Sequence, residues 1–429
     1  MLSPAPDSFS QSGLSDAFAP HDKAPRKGKC LRVGLLSPSS SRNLGDIAIQ
    51  MAVIQNLRAR RPTIEIVGIY PDPVDTVSSL GIGGFPLGGC GPAARPRDPD
   101  AVPQIAGELN RGGEKGRVGW RALKRIATFA RSLDILIMSG GGQLDDFWGG
   151  SWGHPFTLFT WVALARLYGA RIAFMGVGLD RLSNRLSRFF VLSALRLGHY
   201  RSFRDAGTLV ALKALGLQAP SHLCPDLAFS LQSDVTMNFP QWETEPFVAV
   251  NPISVWTWVR DGRDDRHNLY LHHLAAACDW MAGCGLRVHI VCSQSAMDGP
   301  FAVRLKELIQ PRFSSRIKVC DAPRVADFIA QVRGANIVIA SRLHGAILSL
   351  VTGVPVVAIS PIRKVTQLMD DVGLADYTVE LQNFSSAGLI ECIRSALDQR
   401  PGLQRQVTER VQTFCRALAQ TYDDVLALV

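Results

Sequence analysis

The chain has 429 residues, 47% hydrophobic and 19% charged, enough for two or three well-cored domains at the roughly 150 residues usual per domain. Its nine cysteines are an odd set without a CxxC pair, which argues against a disulfide framework or a cysteine zinc site and for buried thiols in a reducing compartment. The net charge of +9, from 46 basic and 37 acidic residues, favours anionic partners without choosing among phosphates, acidic glycans and a lipid headgroup surface.

Residues 1–29 are rich in Pro, Ser and charge, lack an apolar core of signal-peptide length and read as a disordered tail. No later stretch reaches the roughly 18 uninterrupted apolar residues of a spanning helix, since the longest candidate, Ile337 to Ile359, contains Arg342 and His344. The expected location is cytoplasmic, with peripheral contact at the inner face of a membrane left open. From Leu31, "LRVGLLS", "NLGDIAIQMAVIQNLRARRP" and "IEIVGIYP" read as strand, helix and strand. Gly81 to about Gly119 is dense in Gly and Pro and predicts a long loop. The basic segment "GWRALKRIATFARSL" leads into the strand "DILIMSGGGQL". Alternation continues through "PFTLFTWVALARLYG", "ARIAFMGVGL", "RLSRFFVLSALRLG" and "YRSFRDAGTLVALKALGL" to "HLCPDLAFSL".

After the polar connection "QSDVTMNFPQWETEP" the same rhythm returns, with "FVAVNPIS", "LRVHIVCSQ", "RIKVCDA", "GANIVIASRLHG" and "VPVVAISP" as strands. Such alternation implies parallel sheets covered on both faces, and two in tandem enclose a cleft. The expected division is a tail over 1–29, one α/β domain over 30–235, a second over 246–400 and a polar amphipathic helix over 401–429 that crosses back onto the first.

Open α/β sheets hold ligands at the carboxyl ends of their strands, so the residues there are the candidates. In "SSSRNLGDIAIQMAV", Gly45 permits close backbone approach and Asp46 lies near a helix start, although Asn43 and Asp46 also suit ordinary capping. The stretch has neither a Walker lysine nor a GxGxxG pattern. "MSGGGQLDDFWGG" places Gly141 and Gly142 at another strand end, and "MGVGLD" repeats the signal. "RSFRDAGT" offers Arg204 as a planar clamp for phosphate or carboxylate and Asp205 as a cap; Asp226 in "CPDLAF" reads as a turn residue. Arg342 and His344 in "SRLHGA" are costly together unless an anion or acid sits between them. Lys364 holds the corresponding place after the next strand, and the three side chains are expected to converge. The basic run Arg111 to Arg131, interleaved with Trp120, Leu123 and Ile126, reads as a solvated helix face or a surface for anionic lipid. No nucleic-acid reader motif accompanies it, so nucleic acid is not an expected partner.

In order, "NLGDIAI", "SGGGQL", "MGVGL", "SFRDAGT", "CPDLAFSL", "VAVNP", "SRLHGAILSLVTGVPVVAI" and Lys364 resemble the polysaccharide pyruvyl transferase family over about residues 31–375. The resemblance implies two Rossmann-like domains in a glycosyltransferase-B-like arrangement. It also implies transfer of a pyruvyl group from phosphoenolpyruvate to sugar hydroxyls of a surface polysaccharide or its lipid-linked precursor, closing a ketal. The implied partners are phosphoenolpyruvate and a glycan or lipid-linked oligosaccharide acceptor, with no further cofactor and no metal. Carried over by position, Arg204, His344 and Lys364 form the donor-binding set with Arg342 beside them. His344 suits acid–base work, Asp46 is the candidate base, and Asn43, Gly45, Gly141 and Gly142 line the site. Two readings stay open beside this one: a glycosyltransferase-B-type enzyme with a nucleotide-sugar donor, and a catalytically silent glycan-binding member.

Overall fold

A computed structural model describes residues 30–38, 43–89, 114–147, 149–232, 245–254 and 265–429. The expected tail, most of the Gly/Pro-rich stretch and the connection 233–244 lie outside the described residues. Among the described residues the first sheet has seven parallel strands: β1 (Arg32–Leu36), β2 (Glu65–Tyr70), β3 (Gly83–Pro86), β4 (Ile135–Ser139), β5 (Arg171–Val177), β6 (Tyr200–Phe203) and β7 (His222–Leu223). Their spatial order is β3-β2-β1-β4-β5-β6-β7. The second has six: β8 (Phe247–Asn251), β9 (Arg287–Val291), β10 (Ile317–Cys320), β11 (Val338–Ala340), β12 (Val356–Ser360) and β13 (Thr378–Glu380). Here the order is β10-β9-β8-β11-β12-β13, again parallel. Each sheet therefore has one switch point, β1/β4 and β8/β11, where the crossovers diverge and a crevice opens.

The strands read as unbroken apolar runs because they are covered on both faces: Ile135 to Met138, Val248 to Val250 and Val356 to Ile359 are fully buried or nearly so. The covering helices of the first half are α1 (Leu44–Arg60), α2 (Pro73–Leu80), α3 (Glu114–Ala130), α4 (His154–Leu167), α5 (Arg185–Leu197) and α6 (Ala206–Ala214). Those of the second are α7 (Asp265–Gly283), α8 (Ser295–Leu308), α9 (Val325–Val332), α10 (Leu343–Val351), α11 (Arg363–Val372) and α12 (Ser386–Asp398). A last helix, α13 (Arg400–Leu426), follows. Under α3, α4 and α5 lies a core of its own, with Phe129, Leu158, Trp161, Phe174 and Val191. A second core runs without a break from Leu35 and Ala48 through Phe229 to Val250 and Ile339, and so joins both halves.

The helix α13 returns to the first half. Tyr422 Oη and Ser230 Oγ lie 2.8 Å apart, Phe414 meets Phe229 edge-on at 4.9 Å, and Arg60 pairs with Asp423 at 2.6 Å. The Gly/Pro-rich stretch departs from the single long loop expected of it: it contains β3 and the start of α3. Gly83–Pro86 forms an edge strand because β2 offers it a free parallel partner, a long-range effect that overrides poor local strand propensity. Among the described residues no helix is long and apolar enough to cross a membrane.

Candidate active site

The two switch points meet. The helix α1 begins after β1, and its first residue, Leu44, donates its N–H to the carbonyl of Ser293 in the second half at 3.3 Å. Gly45 lies flat against the His344 ring: a Cβ there would sit 2.1 Å from His344 Nδ1 and 2.5 Å from His344 Cβ. Because the clash reaches the root of the histidine, rotating the ring cannot relieve it. Gly45→Ala is therefore expected to part the halves locally, lowering the melting temperature and cutting activity; an unchanged melt and turnover would show that this approach is slack.

Asn43 caps α1, its Oδ1 accepting from Gly45 N at 3.1 Å, and its Nδ2 donates to Asp46 Oδ2 at 2.8 Å. Opposite stands the glycine turn after β4. Gly141 is in the left-handed region at φ 68°, with the Asp46 carboxylate 3.7 Å from where its Cβ would be. Gln143 locks that turn, donating to the carbonyls of Leu36, Ser139 and Gly140. Gly142 leaves room for Asp145, whose Oδ2 would lie 2.6 Å from an added Cβ. The other Asp145 oxygen accepts from Asp180 N at 2.5 Å and Arg181 N at 2.9 Å. Burial pushes the Asp145 carboxyl up to about 6 and the neighbouring Asp180 adds to the rise, against those two N–H groups and Lys364.

Two charge pairs continue from there. Lys364 Nζ lies 2.5 Å from Asp180 Oδ1, and burial, with Arg204 nearby, lowers the Lys364 ammonium despite that partner. Arg204 lies over Gly178 and reaches Asp226 Oδ2 with Nη1 at 3.3 Å; the side chains are 8% and 7% exposed. His344 Nε2 is 3.7 Å from the same Asp226 oxygen, while Asp226 Oδ1 accepts from Ala228 N at 3.0 Å. Burial works to raise the Asp226 carboxyl, but His344, Arg204 and that N–H together hold it well below the usual carboxylate range. Beside these groups is a cavity of about 240 Å³, lined by Arg204, Asp226, Leu343, Lys364 and Arg410 among others.

Arg204, His344, Lys364, Asp46, Asn43, Gly45, Gly141 and Gly142 thus come to one place. Arg342 does not join them. Its guanidinium forks onto Asp298, Nε to Oδ2 at 2.8 Å and Nη2 to Oδ1 at 2.7 Å, and Asp298 is fully buried in the first turn of α8. The expected acid between Arg342 and His344 is instead two acids, one for each. Asp226 was expected only to make a turn; it caps the short 3-10 turn Leu227–Ser230 and also binds Arg204 and His344. The sequence motifs do not single out Asp145 and Asp180, although both stand in the glycine-bearing strand ends.

The starts of α10 and α11 lie beside this cluster, and neither has a side-chain cap. Their first N–H groups and the positive ends of their dipoles are available to an anion. With Lys364 and Arg204, the site can hold a phosphorylated ligand; with Asp46, Asp145 and the Asp226–His344 pair, it can take up and return a proton.

The sequence model described as polysaccharide pyruvyl transferase matches residues 43–362, well over half of the chain. The chain belongs to that family. Among curated relatives, the Erwinia amylovora amylovoran biosynthesis protein AmsJ is 27% identical over 115 residues, which make up 27% of this chain and 28% of that protein. The match thus spans less than a third of the relative's length. The fold recurs in a UDP co-structure of MnaA from S. aureus, with a TM-score of 0.59 and 10% identity over 92% of this chain and 95% of that one. A UDP-GlcNAc 2-epimerase from Neisseria meningitidis, bound to UDP-GlcNAc, has a TM-score of 0.56 and 10% identity over 93% of this chain and 100% of that one. A glycosyltransferase from Rickettsia africae has a TM-score of 0.56 and 11% identity over 92% of this chain and 98% of that one.

The tandem Rossmann-like, glycosyltransferase-B-like fold expected for the family is present, and with the family match it makes this a sugar-modifying, transferase-type fold. The donor expected from the resemblance is corrected. Against phosphoenolpyruvate as donor and partner, and the pyruvate ketal as product, stand the solved structures similar to this chain, which include a UDP complex, a UDP-GlcNAc complex and a glycosyltransferase. The physical reason the expectation went astray is that Arg204 and Lys364 recognise charge: the same two cations serve any phosphorylated donor.

Proposed function

We propose that the protein is a transferase of polysaccharide assembly that takes a nucleotide sugar as donor and a glycan or lipid-linked oligosaccharide as acceptor. The observation that carries this reading is the pair of adjacent uncapped helix starts, α10 and α11, with Lys364 in the first turn of the second. A diphosphate has negative charge on two linked phosphoryl groups, and two helix N-termini side by side match it better than one. The nucleotide-bound structures that share the fold agree with this donor class. A cytoplasmic setting, where nucleotide sugars are made, goes with it.

In the reaction so read, the acceptor oxygen forms a bond to the donor sugar carbon as the bond from that carbon to the diphosphate breaks. The bonding electron pair leaves with the diphosphate, whose growing charge is met by Lys364, Arg204 and the N–H groups of α10 and α11. Asp46, on the opposite wall beside Gly141, takes the acceptor proton, and Gly45, Gly141 and Gly142 let the substrates approach the backbone there. His344, held by Asp226, donates toward the leaving oxygen. Arg342 acts at one remove: tied to Asp298, it fixes the start of α10.

Isothermal titration tests the donor class. Binding of UDP, ADP or GDP is expected, together with turnover of one nucleotide sugar, and phosphoenolpyruvate run in parallel is expected to give no heat. Binding of phosphoenolpyruvate with none of the nucleoside diphosphates would overturn the reading.

A further inference from the structure

We propose that the outer surface of the α3–α4–α5 layer docks flat onto an anionic lipid bilayer. The charge of this region is lopsided: from Glu114 to Leu197 the sequence has twelve Lys and Arg against four Asp and one Glu. That excess of seven is most of the +9 of the whole chain. The four aspartates are drawn away from the outer surface. Asp134 accepts from Arg32 N beneath the layer, Asp145 and Asp180 belong to the active site, and Asp146 accepts from Ser183 N and Asn184 N at the cleft rim. Arg121, Lys124, Arg125, Arg166, Arg185 and Arg196 are exposed.

Among these cations lies apolar surface that a soluble protein has reason to cover. Trp120 is 69% exposed on α3, Phe189 57% exposed on α5, and Phe147 67% exposed in the loop before α4. Trp152 and Phe189 are the exposed ends of one aromatic cluster that runs inward through the half-buried Phe156 and Phe159 to the buried Phe190, with successive ring centroids 5.2–6.4 Å apart. Exposed aromatic rings set in a field where arginine and lysine outnumber acids fit the interface of an anionic membrane: the rings enter at headgroup depth while the cations pair with lipid phosphates. A second protein surface would ordinarily bring matching carboxylates, and a second copy of this layer would place like charges face to face. Asp145 stands in the site and Phe147, two residues on, is exposed on this surface, so a lipid-linked acceptor would reach the site from the membrane plane.

The inference does not rest on the donor class, because it is read without any donor. The full chain is sedimented with vesicles of phosphatidylcholine alone or mixed with phosphatidylglycerol, at physiological salt. Binding only to the mixed vesicles is expected, weakened about 5-fold by each of Arg185→Gln and Arg196→Gln, roughly the worth of one surface arginine. Trp120→Ser with Phe189→Ser should weaken it about tenfold or more while leaving the salt dependence in place. The four substitutions lie outside the active site, so melts and turnover on a soluble acceptor should match the parent. Failure to bind mixed vesicles, or equal binding by all variants, overturns the proposal. So does a dimer in sedimentation velocity that these same substitutions dissolve, which would assign the surface to a second copy of the chain.

Discussion

Asp226→Asn is expected to cost about 3–5 kcal/mol of stability, the usual penalty for removing one partner of a buried ion pair. Arg204 is 8% exposed and has Asp226 as its charge partner, so the amide would leave a guanidinium nearly dry and uncompensated. His344 would lose its counter-charge in the same step. The effect depends on pH in a definite sense. Because the folded carboxyl is held below its ordinary range, its stabilisation is full above the unfolded value of about 4 and fades as pH falls from there toward the folded value. Urea denaturation of parent and variant at neutral pH, and again near pH 3, checks both parts. A large gap at neutral pH that narrows in acid is the expected result; a gap that stays constant would assign the loss to packing rather than charge.

His344→Gln is expected to lower turnover by about 10²–10⁴, the range for loss of a general acid–base group, with little change in the melt. Glutamine retains a donor for Asp226 and approximates the length of imidazole, but it cannot carry the proton. The readout is nucleoside diphosphate released from a nucleotide sugar in the presence of acceptor glycan. A fall confined to turnover places the proton on His344, whereas near-parental turnover in a folded variant would leave it as a spacer between Asp226 and Gly45.

The α/β rhythm was legible because a parallel strand buried on both faces must be an unbroken apolar run, as Ile135–Ser139 and Val356–Ser360 are. The strand-end candidates followed from that rhythm. Their acid partners did not. A carboxylate that caps a turn and one that neutralises an arginine look alike in one dimension, and Asp226 does both. Asp298 is 44 residues from Arg342, and only the tertiary fold, in which α8 packs on α7 and β10, brings them together. Arg342 and His344, two residues apart in sequence, point to different acids because one precedes the helix and the other lies in its first turn. Gly83–Pro86 escaped notice as a strand because its order comes from β2 rather than from its own residues. The donor class is open in the sequence for a different reason: the motifs supply cations suited to a phosphorylated ligand, and charge alone does not say what carries the phosphate.

The return of α13 has a consequence for the order in which the chain matures. Phe229 and Ser230 close the first half, yet the side chains that cover them, Phe414 and Tyr422, are made nearly two hundred residues later. At about 5–20 residues per second, a ribosome leaves that seam uncovered for on the order of 10–40 s. During that interval the first sheet and its α3–α4–α5 layer, whose core is its own, can assemble while the opposite face waits. The seam is sealed only after the second half has emerged, so a nascent chain stalled before α13 presents an apolar strip to chaperones, and the two halves acquire their final stability together.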